Sequence, residues 1–224
     1  MISLGPTRSH LGSVLSVMRS SPGSVIASPG GTVVDTIERL TREASCCVSC
    51  ALATTRTQVV VGEGAVPCDL MIIGEGPGAR EDELGRPFVG RSGALLDRLI
   101  HEELGRARDQ TYIANVVKCR PPNNRDPLPD EMDACAPWLE RQLALVAPRV
   151  ILLLGRTAVG RVLRVKESLT SLRGTVHPLA GSAVAIPTYH PAYALRGGAA
   201  RLTEMRVDFA RARLVLLEGG DAKA

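Results

Sequence analysis

Apolar side chains along this chain fall into two alternating kinds of run. Short unbroken runs at 70–73, 111–117, 150–154 and 184–189 are rich in Leu, Ile and Val and end at Gly, Asn or His. That is the pattern of parallel strands covered on both faces. Between them lie stretches whose apolar positions recur every three or four residues. Leu95, Leu96, Leu99 and Ile100 mark a helix over 92–104, and helices are also expected over 131–145, 156–163 and, amphipathic on the outside, 202–218. A short amphipathic helix over 34–43 opens the folded part. Strand and helix in this order predict an α/β fold, a parallel sheet with helices on both faces.

Such a sheet binds ligands beyond the carboxyl ends of its strands. Three loops arrive there: GEGPG after the first strand, segment 115–125 after the second, and HPAYALR after the fourth. The first belongs to DLMIIGEGPGAREDELGRPFVGRSG, residues 69–93, a buried strand emptying into a glycine-rich acidic loop. Gly74, Gly76 and Gly78 let the backbone pass close to a ligand, and Glu75, Gly76, Glu81 and Asp82 are expected to face the crevice. Phe88 follows with no helical or strand period around it. Taken alone it reads as a plug for the core, with a stacking platform as the alternative.

Composition adjusts this picture. At 224 residues and 45% apolar the chain can bury a sizeable core. Aromatics make up only 3%, so Phe88, Tyr189 and Tyr193, all in loop-like motifs, carry more information than usual. Arg8 and Arg19, in a first 34 residues without acids, supply half of the net charge of +4. A balance this weak permits nucleic-acid binding without arguing for it. Residues 1–34 read as a flexible extension, 35–218 as the folded domain and 219–224 as a tail. There is no secretory apolar core with a cleavage site, and no apolar run of bilayer-spanning length.

The six cysteines are Cys46, Cys47, Cys50, Cys68, Cys119 and Cys135. Without a secretory signal, a metal or cluster site is a better expectation than disulfides. Cys47 and Cys50 form a C-x2-C pair, and Cys119 and Cys135 flank the proline-rich PPNNRDPLP, which can bring them together. Four thiolates suit tetrahedral zinc or an iron–sulfur cluster. The second pair is not C-x2-C, so the zinc-ribbon pattern fails. Cys46 adjoins the first pair, and Cys68 is expected to pack.

Taken in order, GEGPGARED, GRPFVGRSG, IANVVKCRPPNNR, LPDEMDAC and HPAYALR, with the four cysteines, resemble the family 4 uracil-DNA glycosylases over 47–196. The resemblance implies a three-layer α/β/α sandwich around a four-stranded parallel sheet. It also implies a [4Fe-4S] cluster on Cys47, Cys50, Cys119 and Cys135, and excision of uracil from DNA to leave an abasic site. Phe88 would stack on the flipped uracil, which reverses the plug reading. Asn115 would read its edge, Gly76 and Pro77 would line the pocket, and His190 would donate to O2. Glu75 would position water or stabilise the sugar cation, with Glu81 and Asp82 as rivals. Tyr193 or Leu195 would fill the vacated stack, Arg196 would hold a phosphate, and Lys118, Arg120 and Arg125 would lie along the backbone phosphates. His10, His101 and His177 are read as structural.

The expected setting is a monomer in the cytoplasm, nucleoid-associated and off the membrane. Its partner is uracil-containing DNA, and a replication clamp is left unassigned. The alternatives are a relative that captures uracil covalently and a non-catalytic iron–sulfur protein that binds DNA. The covalent type carries a histidine-containing insertion after the second strand, and segment 118–130 holds no histidine.

Overall fold

The computed structural model describes residues 25–28 and 31–218. Within the stretch read as an extension, Val25–Ser28 (β1) pairs antiparallel with Gly31–Val34 (β2). The rest of 1–34 and the tail 219–224 lie outside the described residues. The first helix, Ile37–Ser45 (α1), starts three residues later than its periodicity suggests because Thr36 caps it, its hydroxyl accepting from Arg39 N at 3.2 Å.

Four parallel strands form the centre of the main sheet: Leu70–Gly74 (β4), Tyr112–Asn115 (β5), Val150–Leu154 (β6) and Val184–Thr188 (β8). Two strands that the sequence reading missed, Glu63–Gly64 (β3) and His177–Pro178 (β7), add antiparallel pairs at the edges. The sheet keeps the expected four parallel strands at its centre and, with the two edge strands, is six-stranded and mixed, in the order β3-β5-β4-β6-β8-β7. Two-residue strands of Glu-Gly and His-Pro carry no periodicity to read.

The unbroken apolar runs follow from burial on both faces. Leu70 and Ile72 of β4, with Val150, Leu152 and Leu154 of β6, point into one core, together with helices Arg91–Leu104 (α3) and Pro191–Glu218 (α7). Met71, Ile73, Ile151 and Leu153 point into the other, against Pro129–Val146 (α4) and Arg156–Leu163 (α5). All nine are 0% exposed. At about 1.5–3 kcal/mol for each such side chain, these two cores outweigh anything the short edge pairs contribute. No helix among the described residues is long and apolar enough to cross a membrane.

Two segments read as loops are helical. Ala79–Leu84 (α2) lies inside the acidic loop, with Glu81 Oε2 accepting from Gly78 N at 3.1 Å and Gly85 ending it at φ 68°. HPAYALR is the start of α7. His190 precedes Pro191, and its carbonyl accepts from Tyr193 N at 2.9 Å, so a proline occupies the first helical position where its missing N–H costs nothing. The helix then breaks at Gly198, φ 71°. A short helix, Leu169–Leu172 (α6), leads towards β7.

Helix α3 and the Phe88 loop are packed backbone to backbone. Phe88 has φ 50°, and a methyl group on Gly93 would fall 1.8 Å from the Phe88 carbonyl oxygen. Gly93→Ala should therefore lower stability by about 1–3 kcal/mol or more, as overpacking does. Gly160→Ala in α5, where a methyl group meets nothing within 4 Å, should raise it by about 0.5–1 kcal/mol. Urea midpoints of the two variants check the contrast.

Candidate active site

The chain order of the parallel strands makes the site. β5 lies on one side of β4 and β6 on the other, so the loops leaving β4 and β6 part company and open a crevice at their carboxyl ends. A cavity of about 750 Å³ occupies it, lined among others by Glu75, Phe88, Asn115, Gly155 and His190. Gly76 and Pro77 also line it, as expected.

Asn115 ends β5. It is 1% exposed, and its amide oxygen Oδ1 has no hydrogen-bond partner among the described residues. An unpaired buried oxygen costs about 1–3 kcal/mol unless something else pairs with it. Phe88 is 6% exposed and belongs to the core, so it is the plug that its sequence context suggested. It also lines the cavity, 5.7 Å from the His190 ring centre. Gly74 at the end of β4 sits under this pair. A methyl group there would lie 2.5 Å from both Asn115 Oδ1 and Phe88 Cζ, so the pocket floor requires glycine for close approach.

His190 is held by the start of α7. Its Nδ1 accepts from Ala192 N at 3.2 Å, which leaves Nε2 to carry the proton of the neutral ring. Burial, reinforced by the Arg196 cation and opposed by Glu81, pushes its pKa down to about 4. Glu75 moves the other way: burial, aided by Asp126, raises its pKa, while a hydrogen bond from Thr157 Oγ1 at 2.5 Å and the Arg156 cation oppose the rise.

The other two carboxylates are not free for the crevice. Asp82 is 3% exposed and accepts from Thr57 N at 2.9 Å and Gln58 N at 3.3 Å. Glu81 reaches the cavity rim, but it accepts from Gly78 N, Val89 N and Gly90 N at 3.1, 2.9 and 3.0 Å. It is a strut between the two glycine-rich loops. Arg196 and the half-exposed Tyr193 (43%) on the first turns of α7 line the cavity, while Leu195 (51%) is exposed on the same turns and is not part of the lining. Tyr193 leans on Tyr189, ring centres 5.0 Å apart.

Cys47, Cys50, Cys119 and Cys135 line one small cavity behind the crevice. Three of the four sulfurs receive N–H donors: Arg56 to Cys119 at 3.4 Å, Lys118 N to Cys135 at 3.3 Å and Trp138 Nε1 to Cys47 at 3.3 Å. Burial pushes the Cys119 thiol up to about 11 and raises Cys135, while Cys47, against the opposing effect of burial, is lowered by hydrogen bonds with Ser49 and Trp138. No three His, Cys, Asp or Glu side chains among the described residues are arranged to hold a single metal ion. Soft donors in an apolar shell with N–H groups aimed at sulfur fit a thiolate-ligated centre. Cys68 packs, as expected, with its Sγ 3.3 Å from the carbonyls of Leu70 and Gln110, and Cys46 is exposed.

The pattern that describes the uracil DNA glycosylase superfamily matches residues 61–213. A type-4 uracil-DNA glycosylase of Thermotoga maritima is 47% identical over 161 residues, 71% of this chain and 82% of its own length. Another, from Sulfurisphaera tokodaii, is 44% identical over 169 residues, 72% of this chain and 77% of its own. The chain belongs to the type-4 uracil-DNA glycosylases. A type-5 uracil-DNA glycosylase of Thermus thermophilus is more distant, 34% identical over 149 residues, 58% of this chain and 68% of its own.

Within this type-4 chain, two expectations are overturned: Asp82 does not face the crevice, and Lys118 does not meet the DNA backbone. Lys118 is 1% exposed and cannot lie along a phosphate backbone. Arg125 is bound to Glu131 at 2.6 and 2.8 Å, and Arg120 to Asn124 at 2.7 Å. Gly74 was singled out for close approach of the backbone, and the contacts a methyl group would meet there agree; the sequence reading missed Thr157, Arg56 and Trp138. Thr157 and Trp138 sit on helices far along the chain, and only the fold brings them to Glu75 and Cys47. His101 and His177 stay outside the site, and His10 lies outside the described residues.

His190 gives a signed pH prediction. Its folded pKa of about 4 lies below the ordinary value of about 6.5, so the unfolded chain takes up the proton first. Its contribution to stability is complete above about pH 6.5 and falls away as the pH drops towards 4. Nitrogen chemical shifts should show His190 as the neutral Nε2–H tautomer from pH 8 to about 5. Protonation centred near its ordinary value would contradict the burial assigned to it.

Proposed function

We infer that this chain excises uracil from DNA by hydrolysing the N-glycosidic bond, leaving an abasic site. The observation that carries the reading is the unpaired Oδ1 of Asn115 in a buried crevice beside Phe88. A base turned out of the duplex can lie against Phe88 and satisfy that oxygen with uracil N3–H, while the amide N–H donates to O4. Cytosine presents the opposite donor and acceptor along this edge and leaves Asn115 unpaired.

Breaking the C1′–N1 bond sends its electron pair out with uracil and leaves a cationic sugar. The neutral His190 donates Nε2–H to O2 as charge gathers there, as an oxyanion hole does. A histidine already neutral has no proton to lose before it can act. Glu75, steered by Thr157, stabilises the sugar cation and orients the water whose oxygen adds to C1′. The water's hydroxide remains on the sugar, and its proton balances the departing uracil anion. Leu195 and Tyr193 fill the stack that the base has left, and Arg196 holds a phosphate. Cys47, Cys50, Cys119 and Cys135 would hold a [4Fe-4S] cluster, which when bound would cross-link the segment after α1 to both ends of the proline-rich loop through their thiolates.

A uracil-containing single strand followed by alkali cleavage of abasic sites tests the reading: multiple turnovers support it, and a covalent adduct or an intact strand overturns it. Asn115→Asp, which removes the donor to O4, should abolish excision in the same assay. His190→Ala should slow single-turnover excision by about 10²- to 10³-fold while DNA affinity, set largely by phosphate contacts, barely changes. Equal losses of binding and rate would make His190 structural.

A further inference from the structure

Lys118 has no part in the chemistry above, yet its placement is costly. It is among the largest fully buried side chains, 1% exposed, and a buried ammonium loses its hydration unless neighbours compensate. Among the described residues it forms no ion pair with a carboxylate. Its Nζ donates to the backbone carbonyl of Asn115 at 2.6 Å, and the residue lines the four-cysteine cavity beside Cys119 and Cys135. Its own backbone N–H donates to Cys135 Sγ at 3.3 Å. A single residue thus touches a sulfur of the four-cysteine cavity at one end and the base-reading strand at the other.

We propose that Lys118 is a positioning residue: its ammonium compensates the thiolate charge of the loaded four-cysteine site and, through the Asn115 carbonyl, fixes the amide of Asn115 against the uracil edge. The proposal rests on the uracil-excision reading and on the iron–sulfur site within it. A centre held by four thiolates is rich in negative charge, and a buried cation that lines the same cavity compensates it. The carbonyl that the ammonium grips belongs to the last residue of β5, next to the side chain whose oxygen is unpaired. Occupancy of the cysteine site and the alignment of the base-reading amide are then linked through one residue.

The test uses the full-length protein purified with its iron, as wild type, Lys118→Met and Lys118→Gln. Folding is followed by circular dichroism, iron release to a chelator by loss of the thiolate-to-iron colour, and base recognition by inhibition with free uracil. Both variants should release iron about 10- to 100-fold faster, the usual loss when a group supporting a metal's ligands is removed. Lys118→Met should also weaken inhibition by uracil about tenfold while affinity for abasic DNA is kept. Lys118→Gln, which retains a donor, should lose less uracil affinity than the Met variant.

Iron release at the wild-type rate in both variants overturns the charge role. Unchanged uracil inhibition in Lys118→Met, or an equal loss of abasic-DNA affinity, overturns the positioning role. Should Lys118→Met not accumulate folded, the Gln variant decides the charge role alone, and its wild-type iron retention would overturn the proposal. A wild-type preparation without iron removes the underlying reading, and the proposal with it, before any variant is made.

Discussion

Two central strands covered on both faces constrain everything else in this protein. With Leu70, Ile72, Leu152 and Leu154 committed to one core and Met71, Ile73, Ile151 and Leu153 to the other, no polar side chain can work from the body of the sheet. Chemistry is confined to the strand ends, where the chain leaves the sheet and its alternation stops. Gly74, Asn115 and Gly155 occupy those ends, and Glu75 and His190 lie just beyond. The crevice is a direct result of the strand order, since the loops of β4 and β6 must turn away from each other.

Around that crevice, buried polar groups are organised in layers. Glu81 ties three backbone N–H groups together and so joins the loop after β4 to the loop that carries Phe88. Asp82 does the same for the segment at Thr57 and Gln58. Further out, Asp208 accepts from Thr188 at 2.7 Å and pairs with Arg173 at 2.9 Å, fixing the end of β8 against α7. Each carboxylate is spent on holding a loop, which leaves Glu75 as the one acid in the crevice answered mainly by a hydroxyl. In this arrangement burial raises the proton affinity of one group and lowers that of its neighbour, as acid–base sites require.

Much of this was legible in the sequence because the dominant forces are local. Apolar runs and three-to-four spacing located the four parallel strands and the helices α3, α4 and α5 to within a few residues, with only the part of α7 after its break at Gly198 found, and the glycines and His-Pro pair located the strand ends. What could not be read depends on long-range approach. β3 and β7 exist only because β5 and β8 offer them partners. The helix inside the acidic loop depends on Glu81 finding the backbone of Gly78, and HPAYALR was taken for a loop although a proline at the first helical position was visible. Lys118 shows the limit most clearly. A basic residue beside Cys119 and Arg120 looks like surface charge in a string of letters, and only the fold reveals that it points inward. The order of motifs supplied the family, whereas the division of labour among Glu75, Glu81 and Asp82 needed hydrogen-bond partners to be seen.

The short edge strands have a consequence for how other macromolecules can meet this protein. A sheet whose outermost ladders are two residues long on each side offers little template for an added strand. Pro187 reinforces this within β8, since it has no N–H to donate. Backbone-to-backbone annealing, a route by which β proteins join unintended neighbours, is disfavoured at both flanks of the main sheet. Encounters are left to side chains and loop tips, where charge and shape can discriminate one visitor from another.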